Sequence, residues 1–306
     1  MSALRQMPTR TFPVPLQFDL VRTLAPLSRS PYDRTIRLAA GRVWRATRTP
    51  DGAATIALVH AGRELRAESW GPGAERALDE IHTLLRLDRA PEPIPTGHPL
   101  ITELARRIPD VRIPRTGAIL ESLVPAILEQ KIAGEEARRA MAGLIRVHGE
   151  PAPGPPEFRL RLWPAPATLA GLRYFAYHPF GVEQRRADLI RRIASRPVWF
   201  ESIVDLPLPE AHARLTAVPG IGPWTAAEVA MRALGDDDAV SVGDFHLPNL
   251  VAFALAGEPR ATDARMLELL EPYRGQRARV IRLLELSGIR PPRYGPRLAV
   301  RRIEST

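Results

Sequence analysis

Asp244 is the carboxylate in this chain best placed to do chemistry. It stands in Val242-Gly243-Asp244-Phe245-His246, after a glycine and before an apolar helical pattern. An aspartate there caps a helix by accepting from the free N–H groups of its first turn. Those N–H groups and the helix dipole also keep the carboxylate ionised. An ionised carboxylate beside a sugar C1′ can stabilise an oxocarbenium-like transition state and help orient water. The capping and chemical roles are compatible. Asp236-Asp237-Asp238, after Gly235, reads instead as a solvated turn. His246 either faces the same cleft as Asp244 or lies on the helix surface. The seven histidines show no metal-ligand spacing, so no catalytic metal is expected. Lys131 is the only lysine, hence the one side-chain amine available for Schiff-base chemistry.

About twenty residues before Asp244 lies Leu215-Thr216-Ala217-Val218-Pro219-Gly220-Ile221-Gly222-Pro223-Trp224-Thr225-Ala226. It reads as two helices joined by a tight turn. Leu215 and Val218 share a face, Pro219 ends the first helix, and Pro223 suits the first turn of the second. The two glycines let the backbone approach another surface with no Cβ in the way. The free N–H groups of Gly220, Gly222 and Thr225 then favour an anion such as a phosphate. Such a hairpin grips a nucleic-acid backbone without reading sequence. The alternative is an ordinary helix-turn-helix corner.

The elements that must position these residues fall into two sections. The chain has 306 residues, enough for two domains and a substantial core. Its net charge of +9 suits a polyanionic partner. Cysteine is absent, which excludes disulfides, thiolate zinc sites and cysteine-bound iron–sulfur clusters from this sequence. No apolar run is long enough to span a bilayer and the start lacks a signal-peptide apolar region, so a soluble, cytoplasmic, nucleoid-associated protein is expected.

Residues 1–97 read as a small antiparallel domain with a flexible arm over 1–12. Pro13–Leu20 is the expected edge strand. Thr35–Leu38, Val43–Arg48 and Ala54–Val59 follow, the last two joined by a Pro-Asp-Gly turn. A helix is expected over Ala74–Leu87. Arg89–Pro95 is a stiff, proline-bearing linker. From 98 to 290 the periodicity is helical, and 291–306 is a basic tail. The fold class is α+β: a small antiparallel sheet with a helix, then an all-α domain carrying the hairpin.

Residues 98–288 resemble the helix-hairpin-helix DNA glycosylases of base-excision repair, and within them the bacterial 3-methyladenine DNA glycosylase II branch. The resemblance is carried by Ala126-Ile127-Leu128-Glu129-Gln130, by Val218–Ala226, by Gly243-Asp244-Phe245 and by Glu271-Pro272-Tyr273-Arg274. The sheet domain also resembles that branch, more weakly. The resemblance implies a monofunctional N-glycosylase that flips alkylated purines out of duplex DNA and hydrolyses the glycosidic bond, with Asp244 catalytic. It implies DNA contacts from Gln130, Lys131, Gly220, Ile221, Gly222 and Thr225. It implies a structural Na+ or K+ held by the carbonyls of Thr216, Val218 and Ile221, and no cofactor for catalysis. The partner is damaged double-stranded DNA, and the chain is expected to act as a monomer. The alternatives are a glycosylase for oxidised or deaminated bases and a noncatalytic DNA-binding protein.

The pocket expected from the resemblance includes Trp224, Glu228, Arg282 and Tyr177. Trp224 stands where bifunctional relatives carry their Schiff-base lysine, which implies hydrolysis without strand cutting. Glu228 and Arg282 stand near positions where the alkylpurine enzymes carry aromatics; the two either serve the pocket or pair on the surface. Tyr177 belongs to the cluster Tyr174, Tyr177 and Phe180, which either packs the core or lines the base pocket. Lys131 stands where the family places a wedge, as a phosphate contact or a solvated helix end. The monofunctional reading predicts no covalent adduct when the protein is treated with borohydride on abasic DNA; trapping that disappears in Lys131→Ala would overturn it.

Overall fold

The computed structural model describes residues 8–292. The start of the expected N-terminal arm and nearly all of the expected basic tail lie outside the described residues.

Five antiparallel strands, β1 (Thr9–Pro13), β2 (Ile36–Ala39), β3 (Arg42–Thr49), β4 (Gly52–Ala61) and β5 (Glu64–Trp70), form one sheet in the order β1-β5-β4-β3-β2. The Thr49↔Gly52 pair closes the expected β3–β4 hairpin. The edge strand is earlier than expected: it ends at Pro13 instead of beginning there. Residues 9–13 alternate so that Phe12 points into the core. Asp19 starts a helix rather than continuing a strand, its side chain accepting from the Arg22 N–H at 2.8 Å. Strand β5 was not expected as a separate element. Its inward residues are Leu65, Ala67 and Ser69, mostly too small to give a strong alternating signal.

The helices are α1 (Leu20–Leu24), α2 (Ala74–Asp79), α3 (Ile81–Leu84), α4 (Pro99–Arg107), α5 (Ile119–Leu128), α6 (Gly134–His148), α7 (Pro166–Gly171), α8 (Tyr174–Tyr177), α9 (Gln184–Ala194), α10 (Pro197–Glu201), α11 (Leu208–Thr216), α12 (Pro223–Val229), α13 (Leu247–Ala256), α14 (Asp263–Leu270) and α15 (Arg277–Leu286). The helix expected over Ala74–Leu87 is divided at Glu80 into α2 and α3. Among the described residues no helix is long and apolar enough to cross a membrane.

One sheet face, with Val43, Ile56, Leu58 and Leu65, packs on Leu24, Leu78 and Ile81. On the other, Trp44 and Ala46 meet Phe158, Leu160 and Leu162 from the helical section. Glu121 fastens the two sections together. Its carboxylate accepts from Arg45 at 2.9 Å, from the Thr47 hydroxyl at 2.8 Å and from the Arg48 N–H at 2.9 Å.

The main helical core is built around α5, all ten of whose residues except Glu121 are buried. A second core joins α4, α13, α14 and α15 through Ile101, Val251, Met266 and Leu283. The three aspartates expected to form a solvated turn instead hold these parts in place. Asp236 meets His212 at 3.0 Å, Asp237 pairs with Arg89, and Asp238 pairs with Arg277 at 2.5 Å and accepts the Gly275 N–H at 2.7 Å. Consecutive acids gave the correct turn, but their arginine partners are remote in sequence.

The N-terminus of α5 is capped from a distance. Glu201, at the end of α10, accepts the N–H groups of Ile119 at 2.8 Å and Leu120 at 3.0 Å. Burial pushes the Glu201 carboxyl up to about 7, although those N–H groups pull the other way. The folded protein therefore holds a proton that the unfolded chain has released, over the window from 4.5 to about 7. Within it, stability rises as pH falls. Glu201→Gln removes this dependence. In urea denaturation between about pH 5 and about pH 8, wild type is expected to lose stability relative to the variant as pH rises.

Candidate active site

The hairpin forms as its sequence requires. Helix α11 ends at Thr216, the turn runs through Pro219 to Gly222, and α12 opens on Pro223. Gly220 takes φ +97°, a conformation that L side chains rarely adopt. A Cβ there would also come within 2.9 Å of Leu189 on α9. Ile221 is buried beneath the turn. Among the described residues, the N–H groups of Gly220, Gly222 and Thr225 donate no hydrogen bond, leaving a set of donors at the start of α12.

Gln130, just beyond α5, braces the turn. Its side-chain amide donates to the Gly220 carbonyl at 3.0 Å and to the Thr225 hydroxyl at 2.9 Å. Gln130 and Thr225 thus spend their side chains on each other. Lys131 follows in an exposed position with φ +55°.

The hairpin also places Asp244. The Trp224 indole N–H donates to Asp244 Oδ2 at 3.2 Å. The N-cap position of α13 is His246, two residues after the expected one; Asp244 Oδ1 reaches it from outside, accepting the N–H groups of His246 at 2.7 Å and Leu247 at 2.8 Å. Gly243 before it has φ +93°, and its N–H is held by Asp263 at 3.1 Å. One oxygen of Asp244 is occupied by the helix start and the other by the indole, which fixes its direction. Phe245 beside it is 77% exposed, and His246 is also exposed.

Glu228 lies one helical turn beyond Trp224 on α12, and it is buried. Its carboxylate pairs with Arg232 at 2.7 Å, accepts the Ser241 hydroxyl at 2.7 Å and lies 3.5 Å from Arg29. Arg29 in turn binds Glu129 at 2.7 Å, and Arg232 donates to the Pro26 carbonyl at 2.9 Å. Burial alone would raise the Glu228 carboxyl. The guanidinium groups of Arg232 and Arg29, with the Ser241 hydroxyl, outweigh it and hold the group below the usual carboxylate range. The network ties α12 to the segment leading to Asp244 and to the N-terminal section.

Two expectations for the pocket are corrected. Glu228 and Arg282 do not pair. Arg282 binds Glu285 at 2.9 Å, three residues on in its own helix, and lies 3.5 Å from the Arg22 carbonyl. Tyr177 is fully buried in the main core, and its hydroxyl donates to the Leu169 carbonyl at 2.8 Å. Its ring packs the helices rather than lining a cleft with Asp244. Arg29, Arg232, Ser241 and Asp263 were not singled out from sequence, and Glu129 stood out only as part of the motif ending at Gln130. Arg232 was detectable, standing four residues after Glu228. Arg29 was not, being 199 residues from its partner.

A 3-methyladenine DNA glycosylase from Archaeoglobus fulgidus superposes with a TM-score of 0.74 at 18% identity, covering 90% of this chain and 97% of that one. The apo form of an 8-oxoguanine glycosylase/lyase from Clostridium acetobutylicum gives 0.67 at 13% identity, covering 92% and 97%. This chain has the helix-hairpin-helix DNA glycosylase fold. No protein-family model matches it. By sequence it is 28% identical over 221 residues to the probable bifunctional transcriptional activator/DNA repair enzyme AlkA of Mycobacterium tuberculosis, covering 71% of this chain and 42% of that protein. It is 27% identical over 170 residues to DNA-3-methyladenine glycosylase 2 of Escherichia coli K12, covering 54% and 57%. The chain spans about half the length of the curated relatives it matches.

The charge network gives a stability prediction. Glu228→Gln leaves the buried Arg232 and Arg29 without their shared anion and is expected to cost about 3 kcal/mol in urea denaturation.

Proposed function

We propose that this chain is a monofunctional DNA N-glycosylase of base-excision repair that removes alkylated purines of the 3-methyladenine type from duplex DNA. The observation that carries the reading is the joint placement of Asp244 and the hairpin. A directed carboxylate stands one hydrogen bond from the helix whose first turn offers free N–H groups to a phosphate. The hairpin holds the backbone, the damaged nucleotide is extruded, and Asp244 faces the sugar as positive charge develops at C1′. It stabilises that charge and orients the attacking water. A cationic alkylated base is already a good leaving group, so one clear carboxylate suffices. Trp224 in place of a lysine leaves no amine at that position for a lyase step. The names of the curated relatives support the repair reading.

The hairpin carbonyls suit a structural Na+ or K+. Among the described residues those of Thr216 and Ile221 accept no hydrogen bond, and that of Val218 accepts one, from the Ile221 N–H at 2.9 Å. Such an ion would add positive charge beside the bound phosphate.

A second reading, a glycosylase for oxidised or deaminated bases, is favoured by one observation. The residue a turn beyond Trp224 is Glu228 in a charged network, where an aromatic cage would suit a cationic purine. Base release from methylated duplex separates the two readings. Wild type is expected to release methylated purines, and Asp244→Asn to lose at least ~100-fold in rate. Intact binding to an abasic analogue without methylated-base release would remove the alkylpurine assignment and leave oxidised or deaminated bases as the substrates to assay. Equal rates in both proteins would remove Asp244 from the mechanism.

A further inference from the structure

The outward face of α9 carries a line of cations. Arg185 and Arg192 are seven residues apart and Arg196, just past the helix end, is four further on; all three are exposed. At 3.6 residues per turn Arg185 and Arg192 fall within ~20° of one line; Arg196 follows where the backbone has left the helix, at φ −130°, and the run is about 16 Å long. It adjoins the hairpin at two places. Arg192 donates to the carbonyl of Pro219, the residue before Gly220. Arg196 and Arg214 of α11 both lie over the Trp199 ring, at 5.0 and 5.6 Å from its centre.

The neighbouring acids are already engaged. Asp188 pairs with Arg191 at 3.2 Å, and Glu183 lies 3.8 Å from Arg186. Among the described residues no carboxylate lies within 4.0 Å of Arg185, Arg192, Arg196 or Arg214. The four guanidinium groups therefore lack counter-charge, and Arg192 touches the turn whose free backbone donors suit a phosphate. Burying Ala187, Ile190 and Ala194 on the opposite face of α9 fixes the stripe against the core, while Leu189, at the edge of the stripe, packs under Gly220.

We propose that this stripe is a second phosphate-binding track, which follows one strand of a DNA duplex away from the hairpin. The inference rests on the DNA reading above and adds residues to it that neither the hairpin nor Asp244 implies. Arginine suits the task because its planar fork meets phosphate oxygens in pairs. The length of the stripe corresponds to about five base-pair steps of duplex. It offers charge at intervals rather than base-edge contacts, so it adds affinity without sequence preference.

Salt dependence tests it. Binding to a duplex with an abasic analogue is measured across a KCl series for wild type and for the triple variant Arg185→Gln, Arg192→Gln, Arg196→Gln. Each lost phosphate contact flattens the plot of log K against log salt by about 0.9, so the triple variant is expected to be shallower by roughly 2 to 3. Its low-salt affinity is expected to fall more than ~tenfold. The corresponding triple lysine variant retains the charge and is expected to keep a slope near that of wild type, which separates lost charge from lost folding. A control variant, Arg37→Gln, Arg42→Gln, Arg63→Gln, makes the same change in net charge on the sheet section. An unchanged slope in the first variant, or an equal change in the control, overturns the track while leaving the glycosylase reading intact. A wild type that binds no duplex overturns both, and a loss seen with acidic polypeptide but not with DNA overturns the choice of partner.

Discussion

The buried Glu228 carboxylate is the constraint on which the site depends. A charge removed from water is tolerable only when its neighbours neutralise it and fill its lone pairs. Here the neighbours come from three stretches of chain: Arg232 from the end of the hairpin's second helix, Ser241 from the approach to Asp244, and Arg29 from the N-terminal section. Satisfying one anion therefore fixes three segments relative to one another. Arg29 extends the arrangement to Glu129, next to the Gln130 that braces the turn. The position of Asp244 relative to the hairpin follows from these pairings as much as from its own hydrogen bond to Trp224.

The two sections of the chain meet by the same kind of logic. Glu121 is the one charged residue of α5, and its cost is offset by three donors, all from β3. Glu201 is less completely compensated, with two backbone N–H groups as partners, and its carboxyl is displaced upward as a result. The contrast follows from counter-charge. Glu121 and Glu228 each have a guanidinium within 3 Å, whereas Glu201 has two backbone N–H donors and feels the like charge of Glu121.

Features encoded by adjacent residues were legible in the sequence. The Pro-Gly-x-Gly turn, the proline opening α12 and the aspartate at the head of α13 each depend on residues within a few positions of one another. The same holds for the β3–β4 hairpin. Features that join distant segments were not legible. Nothing near Glu228 indicates that an arginine some 200 positions away will reach it. Tyr177 illustrates the same limit, since an aromatic near a glycine fits a pocket and a core equally well until its packing partners are known. Strand β5 was obscured for a different reason: Ala67 and Ser69 mark an inward face too faintly for alternation to reveal.

The close approach of Gly220 to Leu189 bears on the proposed grip of the hairpin on a nucleic-acid backbone. The turn is packed directly onto α9, where a Cβ on Gly220 would press on a Leu189 methyl, so the hairpin is braced against that helix. A stiff receptor cannot adapt its outline to each guest. On the proposed reading the adjustment falls to the duplex, which would have to bend and unstack to bring its backbone onto that shape, at an energy set by its local sequence and integrity. Stretches softened by a lesion or a weak pair deform more readily than sound ones. In the proposed glycosylase, a braced glycine turn would thus convert mechanical compliance of the DNA into a means of discrimination, acting before any base enters a pocket.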